Sequence, residues 1–130
     1  MLAKLATFIS AIVISRPPAM AQEKDSFYYV LEGVVHYEKG EYFQAIEDYD
    51  KAIALDPEYA GTYYNKGNAK YKLGQYFEAI EDYDKAIALD PEEATAFNNR
   101  GIAKRKLGRT QAAKADFQKA CQLNSRLCDR

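Results

Sequence analysis

Residues 42–58 read YFQAIEDYDKAIALDPE, and residues 76–92 read YFEAIEDYDKAIALDPE, with Gln44 answered by Glu78. The two stretches lie 34 residues apart. A near-identical internal copy at such a period marks a stacked helical repeat, each unit being one supersecondary element that cannot bury its apolar face alone. A divergent third copy, TQAAKADFQKACQLNSR, fills 110–126 at the same displacement. Working outward, we expect units at 26–59, 60–93 and 94–127, a polar lead-in at 22–25 and a short tail at 128–130.

Each unit holds two helical patterns. In the middle unit they run over 60–73 and 76–89, separated by Gly74, with Gly40 and Gly108 in the same place elsewhere. A glycine there suits the left-handed residue that ends a helix. Asp56-Pro57-Glu58 and Asp90-Pro91-Glu92 punctuate the units, and the aspartates are expected to cap the following helices. Ala45, Ile46, Tyr49, Ala52, Ile53 and Leu55 recur at three- and four-residue steps, as do Ala79, Ile80, Tyr83, Ala86, Ile87 and Leu89. That is one apolar helix face. Gly33, Gly67 and Gly101 sit inside the first helices, where glycine costs about 1 kcal/mol against alanine. Close helix approach is expected to offset that cost, with Ala45, Ala79 and Ala113 as the small partners.

These residues resemble the tetratricopeptide repeat. The resemblance rests on an aromatic (Tyr29, Tyr63, Phe97), a glycine (Gly33, Gly67, Gly101) and an alanine (Ala45, Ala79, Ala113). It continues with a second aromatic (Tyr49, Tyr83, Phe117), a second alanine (Ala52, Ala86, Ala120) and Pro57 and Pro91. It implies an all-α fold, a right-handed α-solenoid of three antiparallel helix pairs with a concave groove. Carried over position by position, the groove lining would be Phe27, Val30, Val34 and Tyr37; then Tyr64, Asn68, Tyr71 and Lys72; then Asn98, Ile102, Arg105 and Lys106. A hydrophobic stretch of a bound peptide would lie over Tyr37, Tyr64 and Tyr71, and an acidic group would meet Arg105 and Lys106. The chaperone-binding subfamily uses a Lys/Asn clamp, but its places hold Val30, Val34, Thr95 and Asn99 here, and Asn65 matches only a common repeat asparagine, so the clamp is absent. The sequence also departs from the family in setting bases in the first helices (Lys66, Lys70, Arg100, Lys104) opposite acids in the second (Asp48, Asp82, Asp116). We expect ion pairs at the helix seams, Lys66 or Lys70 with Asp48 or Asp82, and Arg100 or Lys104 with Asp82 or Asp116.

The first 21 residues combine Lys4, an apolar run over 5–14 and Ala19-Met20-Ala21. Those features in that order describe a secretory signal peptide, cleaved after Ala21. The run is too short for a span of about 20 residues, so no stable membrane span is expected after cleavage. Export to the periplasm or the extracellular space follows, or to a thylakoid lumen in a photosynthetic source. An oxidising compartment bears on Cys121 and Cys128. On a continuous helix their backbones would stand about 10 Å apart, too far for a bridge. The chain must therefore turn near Asn124-Ser125 if they pair; a free Cys128 and an intermolecular link stay open.

Nothing here points to catalysis. The single histidine, His36, falls at a repeat position, and the EDYD runs at 47–50 and 81–84 fan around their helices. No glycine-rich phosphate loop, metal spacing or nucleophile–base set occurs, so no cofactor is expected. Charge is uneven: 22–93 carries 7 Lys/Arg against 17 Asp/Glu, and 94–130 carries 9 against 2. The acidic majority would repel phosphate, which argues against nucleic acid. A protein or peptide partner in the groove is the expected function. The alternative is a structural homo-oligomer, with acidic fronts stacked head to tail on basic backs.

Overall fold

The computed structural model describes residues 23–129. The expected signal peptide, 1–21, lies outside them. Among the described residues six helices follow one another: α1 (Ser26–Glu38), α2 (Tyr42–Leu55), α3 (Ala60–Lys72), α4 (Tyr76–Leu89), α5 (Ala94–Lys106) and α6 (Thr110–Leu123), then a 3-10 turn at Ser125–Leu127. Neighbours pack as the hairpins α1/α2, α3/α4 and α5/α6, and α2 meets α3 as α4 meets α5. The result is a solenoid of three helix pairs.

The hairpin turns follow from glycine. Gly40, Gly74 and Gly108 adopt φ of 79°, 76° and 76°. In the first turn the Gly40 N–H donates to Tyr37 O and the Glu41 N–H to His36 O, each over 2.9 Å. That pair of bonds satisfies carbonyls the helix end would leave open. The turns between units depart from expectation. Asp56 and Asp90 cap no following helix; each accepts from the backbone two residues on, Glu58 N at 3.1 Å and Glu92 N at 3.2 Å. The chain needs those residues to reverse, and α3 starts only at Ala60.

The interior crosses unit boundaries. Ala45 and Tyr49 of α2 pack with Ala69 of α3, and Ala79, Ile80 and Tyr83 of α4 pack with Ala103 of α5. Each unit thus buries its apolar face against the next, as a solenoid requires. The glycines inside the first helices are matched by rings, not by the alanines. A Cβ on Gly67 would stand 2.7 Å from Tyr83, and one on Gly101 2.7 Å from Phe117; Gly33 faces Tyr49 in the same way. Ala45, Ala79 and Ala113 are buried in the same seams.

The seams are ion-paired, with a corrected partner list. Lys70 reaches Asp82 at 2.7 Å and Lys104 reaches Asp116 at 3.0 Å. His36 Nδ1 lies 2.7 Å from Asp48, a carboxylate that neither Lys66 nor Lys70 reaches. Between units, Lys66 meets Asp50 at 2.6 Å and Arg100 meets Asp84 at 2.7 Å, while Arg100 also grips Asp116. The acid that ties unit to unit is therefore two residues beyond the expected one. Burial holds the Asp82 carboxyl above its ordinary range, against the pull of Lys70 and Lys66.

The chain breaks its last helix at Asn124 and turns, so that the Cα atoms of Cys121 and Cys128 come within 4.5 Å and the two are bonded as a disulfide.

Candidate groove site

The first helices α1, α3 and α5 stand side by side, and a cavity of about 340 Å3 opens between them. Tyr37 comes from α1, Tyr64, Asn68, Tyr71 and Lys72 from α3, Asn99 and Ile102 from α5, and Tyr83 reaches through from α4. Helical spacing explains the α3 contribution: 64, 68, 71 and 72 fall three or four residues apart on one face. Edge and tilted stacking fixes the rings, Tyr37 on Tyr42 with centroids 5.3 Å apart and Tyr71 on Tyr76 at 5.2 Å.

A polar network ties the cavity wall together. The Tyr83 hydroxyl donates to Asn68 Oδ1 over 2.7 Å. Asn99 Nδ2 donates to Asn68 Oδ1 and to Tyr64 Oη, both over 3.0 Å. Asn98 Nδ2 in turn donates to Asn99 Oδ1 over 3.3 Å. Asn68 Oδ1 and Asn99 Oδ1 are taken up as acceptors inside the network, while the buried Asn98 Oδ1 has no partner among the described residues. Among the described residues, the Asn68 amide nitrogen and the Tyr64 O–H donate to nothing, and the Lys72 ammonium has no carboxylate partner. The cavity therefore offers donors and a positive charge beside aromatic faces, a surface suited to an acceptor-bearing, partly apolar ligand.

Six of the expected groove residues line this cavity: Tyr37, Tyr64, Asn68, Tyr71, Lys72 and Ile102. Val34 borders an adjoining hollow of about 200 Å3 that shares Tyr37 and Asn68. Val30 and Asn98 do not belong to the accessible lining: they are only 8% and 5% exposed, covered by their neighbours although Tyr64, at the equivalent place in the middle unit, lines the cavity. Phe27 is exposed and lines none of these hollows. Arg105 lies 5.4 Å over the Phe117 ring, toward α6, so the cation at the cavity is Lys72 in place of Arg105 and Lys106. Asn99 and Tyr83 were not expected as lining. The signal for Asn99 was its spacing, one helical turn before Ile102 on the same first helix. Tyr83 reads as a packing residue, and its ring is indeed buried, yet its hydroxyl reaches the network.

Among the described residues no group of three His, Cys, Asp or Glu side chains is placed to hold a metal ion, and no helix is long and apolar enough to cross a membrane.

A stack of helix pairs with small residues at the seams and a groove along the first helices defines a class of repeat solenoid. Models described as TPR repeat match residues 33–74 and 67–108, and one described as Tetratricopeptide repeat matches 94–126. The chain belongs to the tetratricopeptide repeat family, and its fold is the right-handed α-solenoid of that family. Its solved structural relatives include the Arabidopsis OM64 TPR domain, at 29% identity over 79% of this chain and 85% of that one, with a TM-score of 0.78. The first TPR of Spaghetti (RPAP3), bound to the HSP90 peptide SRMEEVD, is 25% identical over 78% and 81%, with a TM-score of 0.77. The second TPR domain of human RPAP3, in complex with the HSP70 peptide SGPTIEEVD, is 34% identical over 77% and 83%, with a TM-score of 0.75. No curated protein matches the chain in sequence.

Proposed function

We propose that the chain is a non-catalytic interaction module that holds an extended segment of a partner protein along its groove. The observation that carries this reading is the cavity of Tyr64, Asn68, Tyr71, Lys72 and Asn99, with its unspent donors beside aromatic faces. An extended chain presents backbone carbonyls at regular intervals, and the free donors of Asn68 and Tyr64 suit one. Lys72 suits a carboxylate beside it, and Tyr37 and Tyr71 suit apolar side chains. Peptide-bound relatives support the reading, since two of them hold acidic peptide tails. The tail-gripping clamp of the chaperone-binding subfamily has Val30, Val34, Thr95 and Asn99 in its places here, so the favoured segment differs from those tails. Export and cleavage after Ala21 belong to the same reading, and the Cys121–Cys128 disulfide suits an oxidising compartment.

Placing a photo-cross-linking residue at Tyr71 tests it, with the exposed Glu81 of α4 as control. An adduct with a discrete protein at Tyr71, absent at Glu81, is the expected result. Equal adducts at both positions, or none, would overturn the groove assignment.

A further inference from the structure

The two internal unit boundaries obey one rule, and the two outer faces invert it. Inside, an aspartate of a second helix takes a cation of the next first helix: Asp50 with Lys66, Asp84 with Arg100. At the α1 face the cation's place is held by Glu32, and at the α6 face the aspartate's place is held by Gln118. One turn before Gln118 stands Lys114, exposed, where the other units have Ile46 and Ile80. An acid thus replaces the base at the α1 face, while at the α6 face the acid is lost and a base stands one turn away.

The apolar residues follow the same logic. Ala69 and Ala103 are fully buried against the preceding second helix, while their counterpart Val35 is 46% exposed. Leu31, one turn before it, is 49% exposed, and Phe27, a further turn back, 62%. Positions 27, 31 and 35 form one stripe along α1. On α6 the Phe117 ring is half-buried, whereas its counterparts Tyr49 and Tyr83 are covered by the next unit. Phe117 borders a hollow of about 220 Å3 together with Lys114, Gln118, Cys121 and Cys128.

We propose that these faces meet: the α1 stripe of one copy docks head to tail on the α6 face of a second copy. Leu31 and Val35 cover the Phe117 hollow, and Glu32 lies between Lys114 and Gln118. The occupant is a second copy because each end of the chain carries the charge that complements the other. Residues 22–93 carry a net ten negative charges and 94–130 a net seven positive, so like ends repel and unlike ends attract. A contact between unlike faces propagates unless it closes into a ring. The inference is independent of what the groove holds, since Asn68 and Asn99 take no part.

Light scattering on the full chain and on residues 22–130, at low and raised salt, reads this contact. We expect salt-sensitive oligomers in both. Glu32→Lys alone and Lys114→Glu alone set like charges face to face and weaken association about tenfold or more. An equimolar mixture of the two variants restores it, as does the double variant. Leu31→Asp abolishes association without touching that charge pair, and circular dichroism checks that each variant is helical. A monomer at every salt concentration would overturn the proposal, as would single variants that associate like the parent chain. Oligomers of 22–130 with a monomeric full chain would show that the leading segment, not a second copy, covers α1.

Discussion

The Tyr83 hydroxyl and Asn68 Oδ1, 2.7 Å apart, join the buried seam of the middle unit to the floor of the groove. The ring of Tyr83 is 1% exposed, and burial holds its phenol far above the ordinary range, so it stays a neutral donor at any physiological pH. Asn68 Oδ1 accepts from it and from Asn99 at once, which leaves the Asn68 amide nitrogen as the free donor among the described residues. Packing thereby sets the orientation of a group that lines the cavity.

Tyr83→Phe removes that donor while keeping the ring. Unfolding in urea is expected to show a loss of about 1 kcal/mol, the net worth of one such bond, because Asn99 still donates to Asn68. Tyr83→Ala, which also empties the seam, is expected to cost about 3–5 kcal/mol.

Two glycines of α3 predict opposite outcomes for the same substitution. Gly67→Ala drives a Cβ to 2.7 Å from the buried Tyr83 ring and is expected to destabilise by about 1–3 kcal/mol. Gly61→Ala meets only Tyr59, half-exposed and able to move, and is expected to be neutral or to stabilise by up to about 1 kcal/mol. A pair of melting curves settles the contrast.

Asp82 predicts an unusual pH trend. Its carboxyl titrates above its unfolded value because burial outweighs Lys70 and Lys66. The folded chain then binds protons more readily than the unfolded one, so the contribution of Asp82 to stability is largest below the unfolded pKa and is lost as pH rises through the folded pKa. The cost of Asp82→Asn is therefore expected to be greater near pH 4 than near pH 7. A cost that shrinks toward acid would show that the lysines dominate.

Removing the disulfide through Cys121→Ser with Cys128→Ser frees a loop of few residues at the end of the solenoid. The expected loss is about 2–3 kcal/mol, with faster amide exchange confined to the last turn of α6 and the 3-10 turn.

Much of this was legible because the repeat states each rule more than once. The 34-residue period, the hairpin glycines and the apolar faces are local and periodic, so helices and their pairing can be read directly. Depth and reach are not local. Val30 and Tyr64 hold equivalent places in their units, yet one is buried and the other lines a cavity, because the neighbours above them differ. Lys66 crosses to Asp50 and not to Asp48, a reach over the unit boundary that spacing within the sequence does not display. Asp56 looked like a helix cap by composition, but the turn needs its carboxylate two residues later. The groove residues were found where the stripe faces open space and lost where it turns inward.

In the proposed reading the free donors of Asn68 and Tyr64, held in place by Asn99, grip an extended segment of a partner. The most direct measurement is calorimetric affinity for a peptide selected from a random displayed library on the immobilised chain, compared between the parent protein and Asn99→Ala. We predict that selected peptides carry acidic and apolar residues together and bind at least about tenfold more weakly to Asn99→Ala. Equal affinity for both proteins would place binding elsewhere and contradict the claim.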